Sequence, residues 1–375
     1  MIRKHLVFQL FIWGVVLLQV NLCNASPFDW SAMPSGIWVD IPTTGAAAPK
    51  VFHGGAAIAP ERSEVYFFGS DTHHPTELEM GESNSLWRLD LNTLHWSVDY
   101  EQDSKNSYRV LPDSQAVTTT GRPWAMHTFD CVEWDPVVKR IVVVSYPLHA
   151  RFSPGERFPM FGGEWFKSLR CSHWEYDPEA RQWYRFNSDP PRLFASAMTL
   201  DPERNQLIAT NGDSTWVLDR ANCRWNRYGS GTVSGWHRSM IFDTHAGNAL
   251  LLGLNTGSNT LYAWRPESRE WHTVQTRGQA MPANGAAIAY DTKNGVMLYV
   301  ANDNDNQYYN PGGKSVTFIY HSSDKRWERL DIDSPELYGM NYLSQYDPVR
   351  NVFLHFEKSP EATGDRIRVR AFRYR

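Results

Sequence analysis

The chain has 375 residues, of which 42% are hydrophobic and 21% are charged, and 16 are tryptophan. This composition excludes a disordered or collagen-like chain. The length of the chain suggests two or three domains, but it is also compatible with one large all-β domain. The 37 basic and 41 acidic residues include no long run of one sign, which argues against general nucleic-acid binding.

The first 25 residues have the pattern of a secretory signal peptide. Arg3 and Lys4 precede an apolar stretch over residues 6–22, and residues 23–25 form a small-x-small cleavage site before Ser26. An uncleaved membrane anchor is the alternative. Cleavage leaves 35 basic and 41 acidic residues, a net charge of −6, and no later segment is apolar enough to span a membrane. We therefore expect a secreted or periplasmic protein.

Three cysteines remain after the predicted signal peptide: Cys131, Cys171 and Cys223. Their odd number and the absence of CxxC spacing exclude a disulfide scaffold and a cysteine zinc site.

One hairpin pattern recurs along the chain: an apolar strand, a polar turn that often contains Asp-Pro, and a second apolar strand. The copies cover residues 56–68, 128–145, 195–210, 239–252, 286–300 and 342–356. A second hairpin follows each of the first five copies and ends with Trp96, Trp183, Trp225, Trp271 or Trp327. After the sixth copy only one further strand remains, at 369–374, while residues 36–40 supply a lone strand containing Trp38.

These hairpins predict six units of four short antiparallel strands, rich in β-branched and aromatic residues and bounded by turn residues. Six such units form an all-β, six-bladed propeller, here one domain over residues 26–375. The N-terminal strand completes the C-terminal blade, because this pairs two edges that would otherwise be exposed. No segment sustains the apolar spacing of a helix, and the stretch 98–122 has room for extra strands.

The hairpins, the Gly54-Gly55 pair and the tryptophan that closes each blade resemble the kelch or galactose-oxidase-like propeller superfamily. Most copies lack the double glycine, so the resemblance is to a divergent member. That superfamily contains copper oxidases, a sialic acid mutarotase, polysaccharide lyases and interaction modules, and the fold therefore does not choose the function.

Candidate functional residues gather at one mouth of the predicted channel, where innermost strands begin and second strands end. Long loops open there, and such loops on a rigid scaffold commonly carry function. The inner-strand positions hold His53, His127, His237, Asn284, Tyr338 and Asn341, and the second-strand ends hold His73, His74, His149, Arg151, His355 and Glu357.

Several of these residues have a structural alternative. His53 and His237 either bind substrate or cap strand ends. His73 and His74 are candidate ligands of a divalent metal ion or solvated loop residues, and no HxH or HExxH spacing supports a metal. Trp124 and Trp236, near the same rim, either stack on a sugar ring or pack in the interior.

The most specific constellation joins His127, at the start of an inner strand, to His149 and Arg151 after the second strand of the same blade. Two imidazoles and a guanidinium can hold an acidic substrate and move protons near neutral pH. Propeller-type polysaccharide lyases place two histidines at these strand ends, and the resemblance implies β-elimination on a uronate. It implies that His127 and His149 are catalytic, that Arg151 and Arg238 bind charge, and that Tyr338 is the acid.

One departure from those lyases is Phe194, which stands where they commonly have a tyrosine. The favoured expectation is a monomeric lyase acting on an acidic polysaccharide or oligosaccharide, with Asn284, Asn341, His53, His237, Trp124 and Trp236 also contacting substrate. A non-catalytic glycan- or protein-binding module is the first alternative, and a sugar epimerase or mutarotase is the second.

Overall fold

A computed structural model describes residues 28–45, 53–70, 83–147, 169–186, 190–191, 193, 196–211, 214–230, 238–253, 260–279, 287–302, 314–336, 343–358 and 367–375. The predicted signal peptide lies outside these residues. The helical segments of the described residues are three single 3-10 turns, Trp30–Ala32, Pro60–Arg62 and Lys105–Ser107. Within the described ranges no helix has the length and apolar character needed to cross a bilayer.

The strands are numbered in chain order. The first two are β1 (Trp38–Ile41) and β2 (Thr44–Gly45). Blade 1 contains β3 (Gly55–Ala59), β4 (Glu64–Phe68), β5 (Leu86–Asp90) and β6 (His95–Tyr100), and a separate hairpin follows, β7 (Tyr108–Val110) and β8 (Ala116–Thr118). Blade 2 contains β9 (Val132–Asp135), β10 (Arg140–Ser145), β11 (Ser172–Asp177) and β12 (Gln182–Phe186).

The remaining four blades repeat the same order. Blade 3 contains β13 (Ala197–Asp201), β14 (Gln206–Thr210), β15 (Ser214–Asp219) and β16 (Arg224–Ser230). Blade 4 contains β17 (Arg238–Asp243), β18 (Asn248–Gly253), β19 (Thr260–Arg265) and β20 (Glu270–Gln275). Blade 5 contains β22 (Ala287–Asp291), β23 (Val296–Asn302), β24 (Ser315–His321) and β25 (Arg326–Leu330), with β21 (Arg277–Gly278) at its edge, and blade 6 contains β26 (Ser344–Asp347), β27 (Val352–Lys358) and β28 (Ile367–Phe372).

The sheets form a closed six-bladed β-propeller, as predicted. The innermost strands β3, β9, β13, β17, β22 and β26 contact one another in sequence, and β26 contacts β3 to close the ring. The predicted closure is also confirmed, because β1 pairs antiparallel with β28 as the outer strand of blade 6, with Trp38 opposite Phe372. The face where the innermost strands begin is called the start face, and the opposite one, where they turn into the second strands, the turn face.

An aspartate organises the turn at the end of five innermost strands. One carboxylate oxygen of Asp135, Asp201, Asp243, Asp291 and Asp347 accepts hydrogen bonds from the backbone N–H groups two and three residues later. The intervening residue donates to neither bond, which is why proline fits directly after the aspartate. The recurring Asp-Pro pair is therefore a turn signal.

Tryptophans supply much of the packing between blades. Trp96, Trp183, Trp225, Trp271, Trp327 and Trp38 each lie in the hydrophobic cluster between their own blade and the preceding one. A large aromatic ring fills the wedge between two twisted sheets and contributes a large buried apolar surface. The high tryptophan content thus has a structural cause in these six positions.

The three cysteines give a testable consequence of this packing. Cys131 and Cys171 are buried near the interface of blades 2 and 3, burial raises the pKa of the Cys131 thiol well above its usual range, and Cys223 is exposed. In the chain beginning at Ser26, we expect a thiol reagent to modify one cysteine in the native protein and three after unfolding. Only one reactive thiol after unfolding would indicate a disulfide and contradict this arrangement.

Candidate functional site

Six of the candidate residues fall within the described part of the chain: His53, His127, Arg238, Trp124, His355 and Glu357. The remaining predictions lie outside the described residues, namely His73, His74, His149, Arg151, Trp236, His237, Asn284, Tyr338 and Asn341.

His53 and His127 form a stacked pair on the start face. Their ring centroids are 4.3 Å apart and their planes differ by 3°, although the residues belong to neighbouring blades 1 and 2. Phe129 meets both rings edge-on, with centroid distances of 5.3 Å to His53 and 5.4 Å to His127. Both imidazoles are buried, at 3% and 0% exposure.

The backbone around this pair is shaped by unusual dihedral angles. His53 has a φ of 57° and Phe129 one of 49°, both in the left-handed region that costs energy for a residue with a side chain. The His53 carbonyl accepts hydrogen bonds from the N–H groups of Thr128 and Phe129, at 2.9 and 3.1 Å, and these bonds join blade 1 to blade 2. The His127 carbonyl accepts one from the Ser145 hydroxyl at 2.5 Å.

Gly55, the second residue of the Gly54-Gly55 pair, lets the two blades approach at this point. A Cβ atom on Gly55 would lie 2.5 Å from the Phe129 carbonyl oxygen and 2.6 Å from the Val132 side chain. Gly69 is equally constrained, because a Cβ there would overlap the Thr128 hydroxyl, which donates to the Phe68 carbonyl at 2.7 Å. The glycines therefore serve the contact that brings His53 to His127.

Arg238 and Trp124 are both enclosed by protein. Arg238 begins β17 of blade 4 at the start face and is 1% exposed. Trp124 is fully buried, donates its indole N–H to the Val117 carbonyl at 2.9 Å, and packs on Tyr108 in a small cluster beneath the β7–β8 hairpin. Interior packing, the alternative to sugar stacking, accounts for Trp124 because neither face of its ring is open to a ligand. The β7–β8 hairpin itself occupies the stretch that had room for extra strands.

Asp130, which the sequence analysis missed, connects three blades at the start of β9. Its carboxylate accepts a hydrogen bond from the Met240 N–H of blade 4 at 2.7 Å, and its carbonyl accepts one from the Met198 N–H of blade 3 at 3.2 Å. Desolvation by the surrounding protein raises the pKa of the carboxyl well above its usual range. An acidic residue directly before an apolar inner strand was the available sequence signal.

Blade 6 places two of the candidate residues, His355 and Glu357, at the start face, and the pKa of each is shifted. His355 lies 2.8 Å from the Ser344 hydroxyl through Nδ1, and desolvation lowers the pKa of its imidazole to about 4. Glu357 is buried, and its carboxylate lies 3.3 Å from the Arg368 guanidinium. Desolvation outweighs this cation and raises the pKa of the Glu357 carboxyl to about 7. Perturbed groups of this kind concentrate at functional sites, although structural networks also produce them.

A metal centre receives no support from the described residues, because no three His, Cys, Asp or Glu side chains among them converge as ligands would. The chain matches no protein-family model, and no curated protein sequence matches it either. What the geometry establishes is the architecture: a six-bladed β-propeller with a buried histidine pair and a buried arginine on one face.

Proposed function

We propose that this chain is an exported kelch-like propeller that cleaves a uronate-containing polysaccharide by β-elimination at its start face. The observation that carries the proposal is the stacking of His53 on His127, which concentrates two imidazoles at the mouth where His149 is expected. Arg238, a cation on the same face, adds a group that can neutralise a carboxylate.

The reaction makes three demands on the site. A base removes the C5 proton of the uronate, the C4–C5 double bond forms as the C4–O bond breaks, and an acid protonates the leaving oxygen. A cation must also neutralise the substrate carboxylate, since this makes the C5 proton removable. We assign proton transfer and neutralisation to His127 and His149, carboxylate binding to Arg238 and Arg151, and protonation of the leaving oxygen to Tyr338.

The burial of the histidine pair supports a second candidate function. His127 is fully enclosed, and its contacts with His53 and Phe129 resemble packing between blades as much as a reactive arrangement. A substrate would have to displace the atoms that cover these rings. If it does not, the propeller is a non-catalytic module that binds a glycan or a protein.

The experiment is a screen of the purified protein against a panel of acidic polysaccharides, with near-ultraviolet absorbance reporting the unsaturated uronate. We expect absorbance to rise with at least one uronate-containing polymer and with no neutral polymer such as dextran. Binding of a polysaccharide without release of an absorbing product would replace the lyase with the binding module. Neither binding nor product across the panel would remove both carbohydrate functions.

A further inference from the structure

A cavity of about 330 Å³ lies in the central channel on the side away from the histidine pair. Its walls come from all six innermost strands, and the turn residues Pro60, Pro136 and Pro348 stand around its mouth, so it opens at the turn face. Asp130, which is bonded across to blade 4, marks its inner end. The volume is in the lower range of small-molecule sites.

The ionisable groups that line this cavity are acidic. Its carboxyl groups belong to Asp130, Glu133 and Glu61, and the described lining contains no lysine, arginine or histidine. Asp130 and Glu133 form no ion pair with the described residues. The carboxylate of Asp130 accepts a bond from the Met240 N–H at 2.7 Å, and that of Glu133 accepts one from the Trp134 N–H at 3.2 Å. Each of these two carboxylates can accept further hydrogen bonds from a bound donor group.

The rest of the wall suits an organic molecule better than a bare metal ion. Leu200, Phe242 and Tyr290 contribute apolar and aromatic surface beside the acids. A metal ion would need several converging oxygen ligands, and the described residues supply no cluster of three. An ammonium group attached to an apolar body satisfies both parts of the lining, with cation–π contact available from the aromatic rings.

We propose that this turn-face cavity binds a small organic ammonium ion, whose nitrogen lies between the carboxylates of Asp130 and Glu133. The site is separate from the start face, and it does not depend on lyase activity. Its acidic groups and the absence of a cation from its described lining disfavour an anionic ligand, whereas the start face, with its histidines and Arg238, favours one. The propeller thus presents opposite preferences at the two ends of its channel.

The pKa of Glu133 agrees with this assignment. Desolvation raises the pKa of Glu133 to about 8, the nearby Asp135 carboxylate acts in the same direction, and the Trp134 N–H acts against it. Desolvation also raises the pKa of the Asp130 carboxyl well above its usual range, and the other titratable groups around the cavity are Glu61, Tyr290 and Tyr346, none of them cationic. Glu133 therefore holds a proton near neutral pH, and an ammonium ion must replace that proton on binding.

The test uses three probes of the same shape and different charge: benzylammonium, benzyl alcohol and benzoate. Isothermal titration calorimetry at pH 8 is expected to show benzylammonium binding at least about tenfold more tightly than benzyl alcohol, and no benzoate binding, because charge-assisted hydrogen bonds form only with the ammonium. Between pH 6 and pH 8 the benzylammonium binding constant should rise by up to about tenfold per pH unit for each carboxyl group that releases a proton on binding.

Two further readouts keep the proposal independent of any folding defect. Glu133→Gln should weaken benzylammonium binding about tenfold or more, while Glu61→Gln, at the exposed mouth, should change it less than about threefold. In the unaltered protein at pH 7, the binding heat should differ between phosphate and HEPES buffers, which differ in their heat of ionisation, since a proton is released. Equal affinity for benzylammonium and benzyl alcohol, or binding of divalent metal ions alone, would overturn the proposal.

Discussion

Replacing Trp38 with alanine is expected to lower the free energy of unfolding by about 3–5 kcal/mol, the range for removing a buried tryptophan. Trp38 is 6% exposed, packs on Phe372 with ring centroids 5.3 Å apart, and donates its indole N–H to the Thr317 hydroxyl of blade 5 at 3.0 Å. One side chain thus ties the N-terminal strand to blade 6 and blade 6 to blade 5. Urea unfolding followed by circular dichroism measures the loss.

Ile37→Ala is the matched control for Trp38. Ile37 precedes it and is 48% exposed, so its replacement should change the free energy of unfolding by less than about 0.5 kcal/mol.

Deleting residues 1–41 should have a larger effect than Trp38→Ala, because β28 would lose its partner strand and present an open edge prone to aggregation. A shortened chain that unfolds at the same urea concentration as the full one would contradict closure by β1.

Glu175→Ala is expected to cost about 3 kcal/mol, because it breaks a buried ion network between blades 2 and 3. The fully buried Glu175 carboxylate lies 2.8 Å from the Arg220 guanidinium and 3.2 Å from that of Arg140. Arg220 also donates to Asp135 at 2.6 Å, so the network reaches the turn at the end of β9. Without the Glu175 carboxylate, the two guanidinium groups lose the anion that holds them together.

The same residue should make the protein sensitive to acid. Desolvation acts to raise the pKa of Glu175, but its hydrogen bonds and charge interactions with His173 and Arg220 outweigh it and lower the pKa from 4.5 to about 2. Because the folded pKa is the lower one, this contribution to stability is complete above pH 4.5 and is lost as the pH falls towards 2. Glu175→Gln should flatten the loss in that window, whereas Glu179→Gln, on the exposed turn of the same hairpin, should leave it unchanged.

The architecture was predictable because its signals are local and repeated. Asp135 and its counterparts mark turns through hydrogen bonds to their own backbone, and alternating apolar residues mark the strands on either side. Each terminus of the chain has one strand without a hairpin partner, and the N-terminal one carries Trp38. Pairing these two strands completes the sixth blade, which predicts that the ring closes through β1. Each of these features is set by residues close together in sequence and needs no knowledge of distant packing.

The candidate site was predictable only in outline. Placing His53 and His127 on one face followed from blade topology, but their stacking depends on the left-handed backbone at His53 and Phe129 and on space left by Gly55. Trp124 looked like a rim residue because the small β7–β8 core that buries it is completed by residues farther along the chain, Tyr146 and Leu169. Such contacts between distant residues leave little trace in a single sequence.

The central claim is tested most directly by the rate of unsaturated uronate release from the best polysaccharide of the panel, measured with the wild-type protein, His127→Ala and the exposed control His95→Ala. Removing a general acid or base commonly costs 100- to 10,000-fold in rate, so His127→Ala should reduce release by at least about 100-fold. His95→Ala should keep wild-type activity. A folded His127→Ala protein that releases product at the wild-type rate would contradict the catalytic role of His127.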